Sequence, residues 1–117
     1  MRKSFAAVVV WLALSCEATA ADLSKLAGGW VAEGVSCAAL QNYEDERLIK
    51  ISLLKFEFYE GDCRVTGSTK SGSRYSVQLT CESEGERHML NWKAVLANPN
   101  KLQVDGGFTY RRCGPAR

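Results

Sequence analysis

Histidine is almost missing from this chain, with His88 alone in 117 residues. Charge of either sign is also balanced, at +2 overall from 15 Lys and Arg against 13 Asp and Glu. No two of the five cysteines stand at the C-x₂₋₄-C spacing of a zinc site or a redox pair. The apolar run Phe5 to Leu14 has ten residues, about half of what a membrane helix needs, and nothing later could span. G-x-S-x-G and glycine-rich phosphate loops do not occur. These absences argue against a metal site, a Ser-His-Asp triad, a nucleotide cofactor, a basic nucleic-acid groove and stable membrane insertion. What they leave is a non-catalytic domain that implies no cofactor.

The N-terminus sets the compartment. Arg2 and Lys3 precede the apolar run, and Ala18-Thr19-Ala20 supplies the small-x-small pattern read by a signal peptidase before Ala21. Residues 1–20 therefore read as a secretory signal and residues 21–117 as one exported domain, periplasmic or secreted. A lipidated Cys16 is the competing reading. A lipobox wants Leu three residues before the cysteine and a small residue two before it, and Ala13 and Leu14 stand the other way round. Cleavage before Ala21 takes 20 of the 117 residues, leaving 97, and lowers the net charge to +1 by removing Arg2, Lys3 and Glu17. The pair Arg111-Arg112 then reads as the solvated end of a strand.

Cleavage also removes Cys16 and leaves Cys37, Cys63, Cys81 and Cys113. An even count in an exported domain of this size reads as two disulfides. From Arg47 onward a two-residue period dominates. Ile49, Ile51 and Leu53 alternate with polar residues, then Leu54, Phe56 and Phe58 do so in the opposite phase, which marks a bulge or tight turn at Leu53-Leu54. Tyr75, Val77, Leu79 and Cys81 share one face of the next clear strand, and Leu90, Trp92, Ala94 and Leu96 one face of another. Asp22 to Gly29 is a short lead-in with room for one helical turn, closed by Gly28-Gly29, and Cys37–Tyr43 has modest helical character that Glu44-Asp45-Glu46 ends. With turns near Gly61, Gly72, Gly85, Pro99 and Gly106, about seven or eight short strands make an all-β domain, a small antiparallel barrel or sandwich.

The hairpin around Gly72 bears on the disulfides. A turn centred on Gly72 sets Lys70 opposite Arg74 and Cys63 opposite Cys81, close enough to bridge. A two-residue Ser71-Gly72 loop would leave them one residue out of register. The centred turn predicts Cys63–Cys81, and elimination then gives Cys37–Cys113.

Candidate chemistry is sparse. Glu82, Glu84, Glu86 and His88 alternate through a turn, either as a convergent carboxylate site or as a solvated charged turn, and the solvated turn needs no further condition. Trp30 and Trp92 either pack the core or line an interior or mouth pocket. Several elements together resemble a group of small exported four-cysteine proteins of Gram-negative bacteria: Gly29-Trp30, Tyr59-Glu60 ahead of Cys63-Arg64-Val65, Cys81 followed by Glu84-Gly85-Glu86, and Tyr110-Arg111-Arg112-Cys113. The resemblance covers nearly all of residues 21–117 and implies a periplasmic β-rich domain. It brings no established activity.

A more local similarity does carry a function. Ser71-Gly72-Ser73-Arg74-Tyr75 resembles the Ser-Gly-x-x-Tyr loop of periplasmic inhibitors of C-type lysozyme. The resemblance implies that Ser71 hydrogen-bonds a catalytic carboxylate, that Gly72 permits close approach and that Tyr75 braces the loop. The family's second motif, an aromatic strand ending in Lys-Gly, is not matched, because Ala94 follows Trp92-Lys93. No role passes to Lys93. The expected function is a protein-binding module directed at a lysozyme or another protein. The alternative is a ligand-binding or envelope-maintenance barrel using a pocket near Trp30 and Trp92.

Overall fold

The computed structural model describes residues 21–42, 47–59 and 61–114. The expected signal peptide with Cys16, and the turn Glu44-Asp45-Glu46, lie outside the described residues. Eight strands follow in chain order: β1 Gly28–Ala32, β2 Leu48–Ile51, β3 Lys55–Phe58, β4 Gly61–Ser71, β5 Arg74–Ser83, β6 Glu86–Asn98, β7 Lys101–Val104 and β8 Thr109–Cys113. Each is antiparallel to the next, and β8 pairs with β1, so the sheet closes into an up-and-down barrel. Closure removes the free edges that an open sheet of this size would expose. Of the two architectures expected, the molecule adopts the barrel.

Register and burial agree on which side chains face inward. Trp30 stands opposite Ile49 on β2 and Arg112 on β8, while Val77 stands opposite Trp92, and Leu102 opposite Tyr110. All of these are buried, and Trp30, Phe56 and Val77 are fully so. An eight-stranded barrel has an interior just wide enough for side chains to fill or for one small ligand to occupy. Here side chains fill it. Phe56 meets Trp92 edge-on at 4.9 Å between ring centroids. The phase change at Leu53-Leu54 is a turn, since Ser52 to Leu54 link β2 to β3 and both leucines are exposed.

The long β1–β2 connection folds back along the outside of the barrel. It carries the one short helix among the described residues, α1 (Ala39–Asn42), near the expected helical stretch. Val31 and Leu48 point outward as a cross-strand pair and are still buried, because this segment covers them. A Cβ on Gly29 would lie 2.6 Å from Leu40 Cδ1, so any larger residue there would have to displace the Leu40 side chain that packs on β1. The disulfide Cys37–Cys113 fastens the segment to the end of β8, with 5.7 Å between its Cα atoms. Arg111 adds a hydrogen bond from Nη2 to the Val35 carbonyl at 2.8 Å.

The second disulfide joins Cys63 of β4 to Cys81 of β5, which are directly opposed. The pairing is the one expected, but the turn is not. The loop is the two residues Gly72-Ser73, with Ser71 opposite Arg74. That register alone would leave the cysteines misaligned. A bulge between Val65 and Gly67 absorbs one residue of β4 and restores the alignment. Gly72 supplies φ +62° at the first loop position while Ser73 keeps a negative φ, the pattern of a type II′ hairpin.

The β5–β6 hairpin turns differently. Glu84 and Gly85 both have positive φ, +54° and +82°, which is the type I′ pattern. A glutamate in the left-handed region is sterically costly, and asparagine tolerates that region better. Glu84→Asn should therefore stabilise the protein by about 0.5–1 kcal/mol, raising Tm by roughly 3–6 °C. Thermal unfolding of the two forms side by side checks this.

Candidate functional site

One end of the barrel is closed by the chain segment that precedes β1. Leu23–Leu26 form a single 3₁₀ turn, started by Asp22, whose carboxylate accepts from the Ser24 N–H. Leu23 and Leu26 are buried beneath it. The turn leaves three successive carbonyls with no helical partner. The barrel supplies partners for all three. The Trp30 indole N–H donates to Leu26 O at 2.9 Å, and Arg112 donates from Nη2 to Lys25 O and from Nη1 to Ala27 O, both at 2.7 Å. Arg112 Nε also donates to Pro99 O at 2.9 Å in the β6–β7 turn. Its guanidinium lies 4.4 Å from the centroid of the Trp30 ring, within cation–π range.

Arg112 is thus a buried structural pin, 7% exposed, and not the solvated strand end that the Arg111-Arg112 doublet suggested. The strand period explains the correction: Arg112 shares the inward phase of Tyr110, while Arg111 faces out. Burial lowers the Arg112 pKa from its ordinary value, yet a guanidinium stays charged at neutral pH. Three carbonyl acceptors and an aromatic face hold that charge in place of a carboxylate.

The Gly72-Ser73 loop lies at this same end. Ser71, Gly72, Ser73 and Arg74 are exposed, and no atom lies within 4 Å of where a Gly72 Cβ would be. The tip is nevertheless held on the β6 side. The Leu96 N–H donates to Ser73 O at 2.9 Å, and Arg74 Nη1 lies 3.4 Å from Asp105 Oδ2. Tyr75, at the base of the tip, is 1% exposed, and Lys70 Nζ stands 5.3 Å from its ring centroid. Ser71, Gly72 and Tyr75 therefore fall on one hairpin, with two residues at the surface and one anchored in the core.

Behind the tip is a cleft of about 450 Å³, lined by Lys25, Lys70, Gly72, Ser73, Tyr75, Leu96, Asn98 and Pro99. Nothing in the sequence announces it, because Lys25, Lys70 and Asn98 become neighbours only when the barrel closes. Trp30 and Trp92 do not line it; both rings are core. At the other end of the barrel, Glu82, Glu84, Glu86 and His88 are exposed around the type I′ turn. Glu82 pairs with Arg87 at 3.2 Å, as a solvated charged turn would.

No family model matches the chain, and no curated protein or solved structure shows significant similarity to it. The site is therefore defined by its geometry alone: a disulfide-stapled, side-chain-filled barrel that exposes a short polar hairpin tip. Among the described residues no helix is long and apolar enough to cross a membrane.

Proposed function

We propose that this protein is a non-catalytic protein-binding module of an oxidising compartment, the periplasm of a Gram-negative cell, that inserts the Gly72-Ser73 hairpin tip into the cleft of a hydrolase. A C-type lysozyme is the first partner to test. The observation that carries this reading is the pairing of a filled interior with an exposed tip on a rigid base. The tip stands on the buried Tyr75 and on the long β4–β5 ladder, which the Cys63–Cys81 bridge closes at its far end, so presenting it to a partner costs little ordering entropy. The local resemblance of Ser71 to Tyr75 to the inhibitor loop supports the same reading. Packed rings at Trp30 and Trp92 count against an interior ligand site.

In this reading the Ser71 hydroxyl donates to a carboxylate in the lysozyme cleft. Ser71→Ala should weaken inhibition by about 1–3 kcal/mol, because a buried carboxylate would lose its partner. Gly72→Leu should weaken it more, by filling the open approach and straining a left-handed backbone position. Arg74→Ala should matter less, since its ion pair with Asp105 is solvent-exposed and such pairs contribute little. The assay is clearing of a peptidoglycan suspension by C-type lysozyme, with and without the oxidised protein. Inhibition at low-micromolar concentration, ordered as above among the variants, is expected. Undiminished clearing at a hundred-fold molar excess would remove lysozyme as the partner.

A further inference from the structure

The cleft behind the hairpin is walled in part by the core: Tyr75 lines it, while its Oη is buried away from solvent. Two cations belong to the same cleft. Lys70 holds its ammonium 5.3 Å from the Tyr75 ring centroid, and Lys25 rises from a backbone that Arg112 clamps through the Lys25 carbonyl. Asp22 is the carboxylate that feels both. Its pKa lies below the ordinary value, first through hydrogen bonds from Ser24 and then through the charges of Lys70 and Lys25. One carboxylate facing two ammonium groups leaves a net positive charge. Leu96, Pro99 and the Tyr75 ring make the rest of the wall apolar.

We propose that this cleft binds a small amphipathic organic anion, a carboxylate carried on an apolar body. The carboxylate accepts from the Lys70 ammonium, with Lys25 supplying the second cation. The apolar body lies against Leu96 and Pro99. A volume of about 450 Å³ falls within the range of small-molecule sites. The site goes beyond the hairpin reading and does not depend on it, because free ligand is taken up with no protein partner present.

The test is a titration of the oxidised protein with octanoate, followed by the backbone amide resonances of Gly72, Ser73 and Leu96. Octan-1-ol and octylamine serve as the neutral and cationic counterparts. Octanoate should shift those three amides saturably, and the other two should not at equal concentration. Lys70→Gln, a surface change, should raise the octanoate Kd about five-fold or more. Tyr75→Phe keeps the ring in place and should leave the Kd within about two-fold, because the hydroxyl is buried away from the cleft. Equal response to octanol, shifts centred on the opposite barrel end, or an unchanged Kd in Lys70→Gln would overturn the proposal.

Discussion

Arg112→Met should destabilise the protein by about 3–5 kcal/mol, far more than truncation of an exposed side chain would. Methionine roughly matches the volume of the side chain and removes all of its donors. The carbonyls of Lys25, Ala27 and Pro99 then lose their hydrogen bonds together, and the Trp30 ring loses the cation above it. Charge-assisted hydrogen bonds contribute about 1.5–3 kcal/mol each, but the three share one side chain and will not add. Arg112→Lys should recover only part of the loss, since an ammonium cannot reproduce the planar fork that reaches two elements at once. The effect should also be local. With the clamp gone, the 3₁₀ turn that closes the barrel end is held chiefly by Leu23, Leu26 and the Trp30 indole. Trypsin should then cut after Lys25 well before the barrel unfolds. Urea unfolding at constant m-value measures the first effect and limited proteolysis the second. A loss below about 1 kcal/mol with Lys25 still protected would show that the clamp is incidental.

The second large effect concerns the two disulfides, which should not be equivalent. Cys37–Cys113 spans 76 residues in sequence and Cys63–Cys81 spans 18. In the chain-entropy picture, removing the first costs about 4–5 kcal/mol and removing the second about 3. Nesting of the short loop within the long one trims the larger figure by a few tenths. The double replacements Cys37→Ser/Cys113→Ser and Cys63→Ser/Cys81→Ser should therefore differ in stability by about 1 kcal/mol or more. They should also differ in kind. The outer bridge holds the β1–β2 segment over Val31 and Leu48, so its loss exposes apolar surface as well as freeing the chain. The inner bridge joins strands that the β4–β5 ladder already pairs along its length. Its loss should leave the barrel closed and fray the β4–β5 ladder at the end away from the Gly72-Ser73 tip, with little effect on the tip itself.

Much of the barrel is legible in the sequence because each strand carries its own alternation. Tyr75 to Cys81 and Trp92 to Ala94 declare their inward faces without reference to any other element, whereas Leu90, in the same phase, is 39% exposed. The turn at Ser52 to Leu54 is equally local, since the change of phase occurs within six residues. The Cys63–Cys81 pairing is a more instructive case. A turn centred on Gly72 gives the right pairing from a register that is one residue off, and the bulge at Thr66 supplies the compensating shift. Gly67 is the sole hint of that bulge, and a strand glycine equally marks a barrel corner or a close backbone approach. Arg112 is illegible for a different reason: a charged doublet near a terminus looks solvated. Its partners are carbonyls 85 and 87 residues away, which no pattern of side chains can announce. The cleft is hidden in the same way, since Lys25, Lys70 and Asn98 come from three separate segments. Only Ser71, Gly72 and Tyr75 are readable as a unit, because one hairpin carries them all.

The most direct measurement of the hairpin reading is a map of backbone amide shifts in the oxidised protein as C-type lysozyme is added. Contact through the tip should perturb Ser71 to Arg74 first and most, then Leu96, which bonds the Ser73 carbonyl. The Glu84-Gly85 turn, at the far end of the barrel, should stay unmoved. Ser71→Ala should shift the same amides at a higher lysozyme concentration. Perturbation centred on His88 and Leu90, or no change at any residue with lysozyme in excess, would contradict a recognition role for this hairpin.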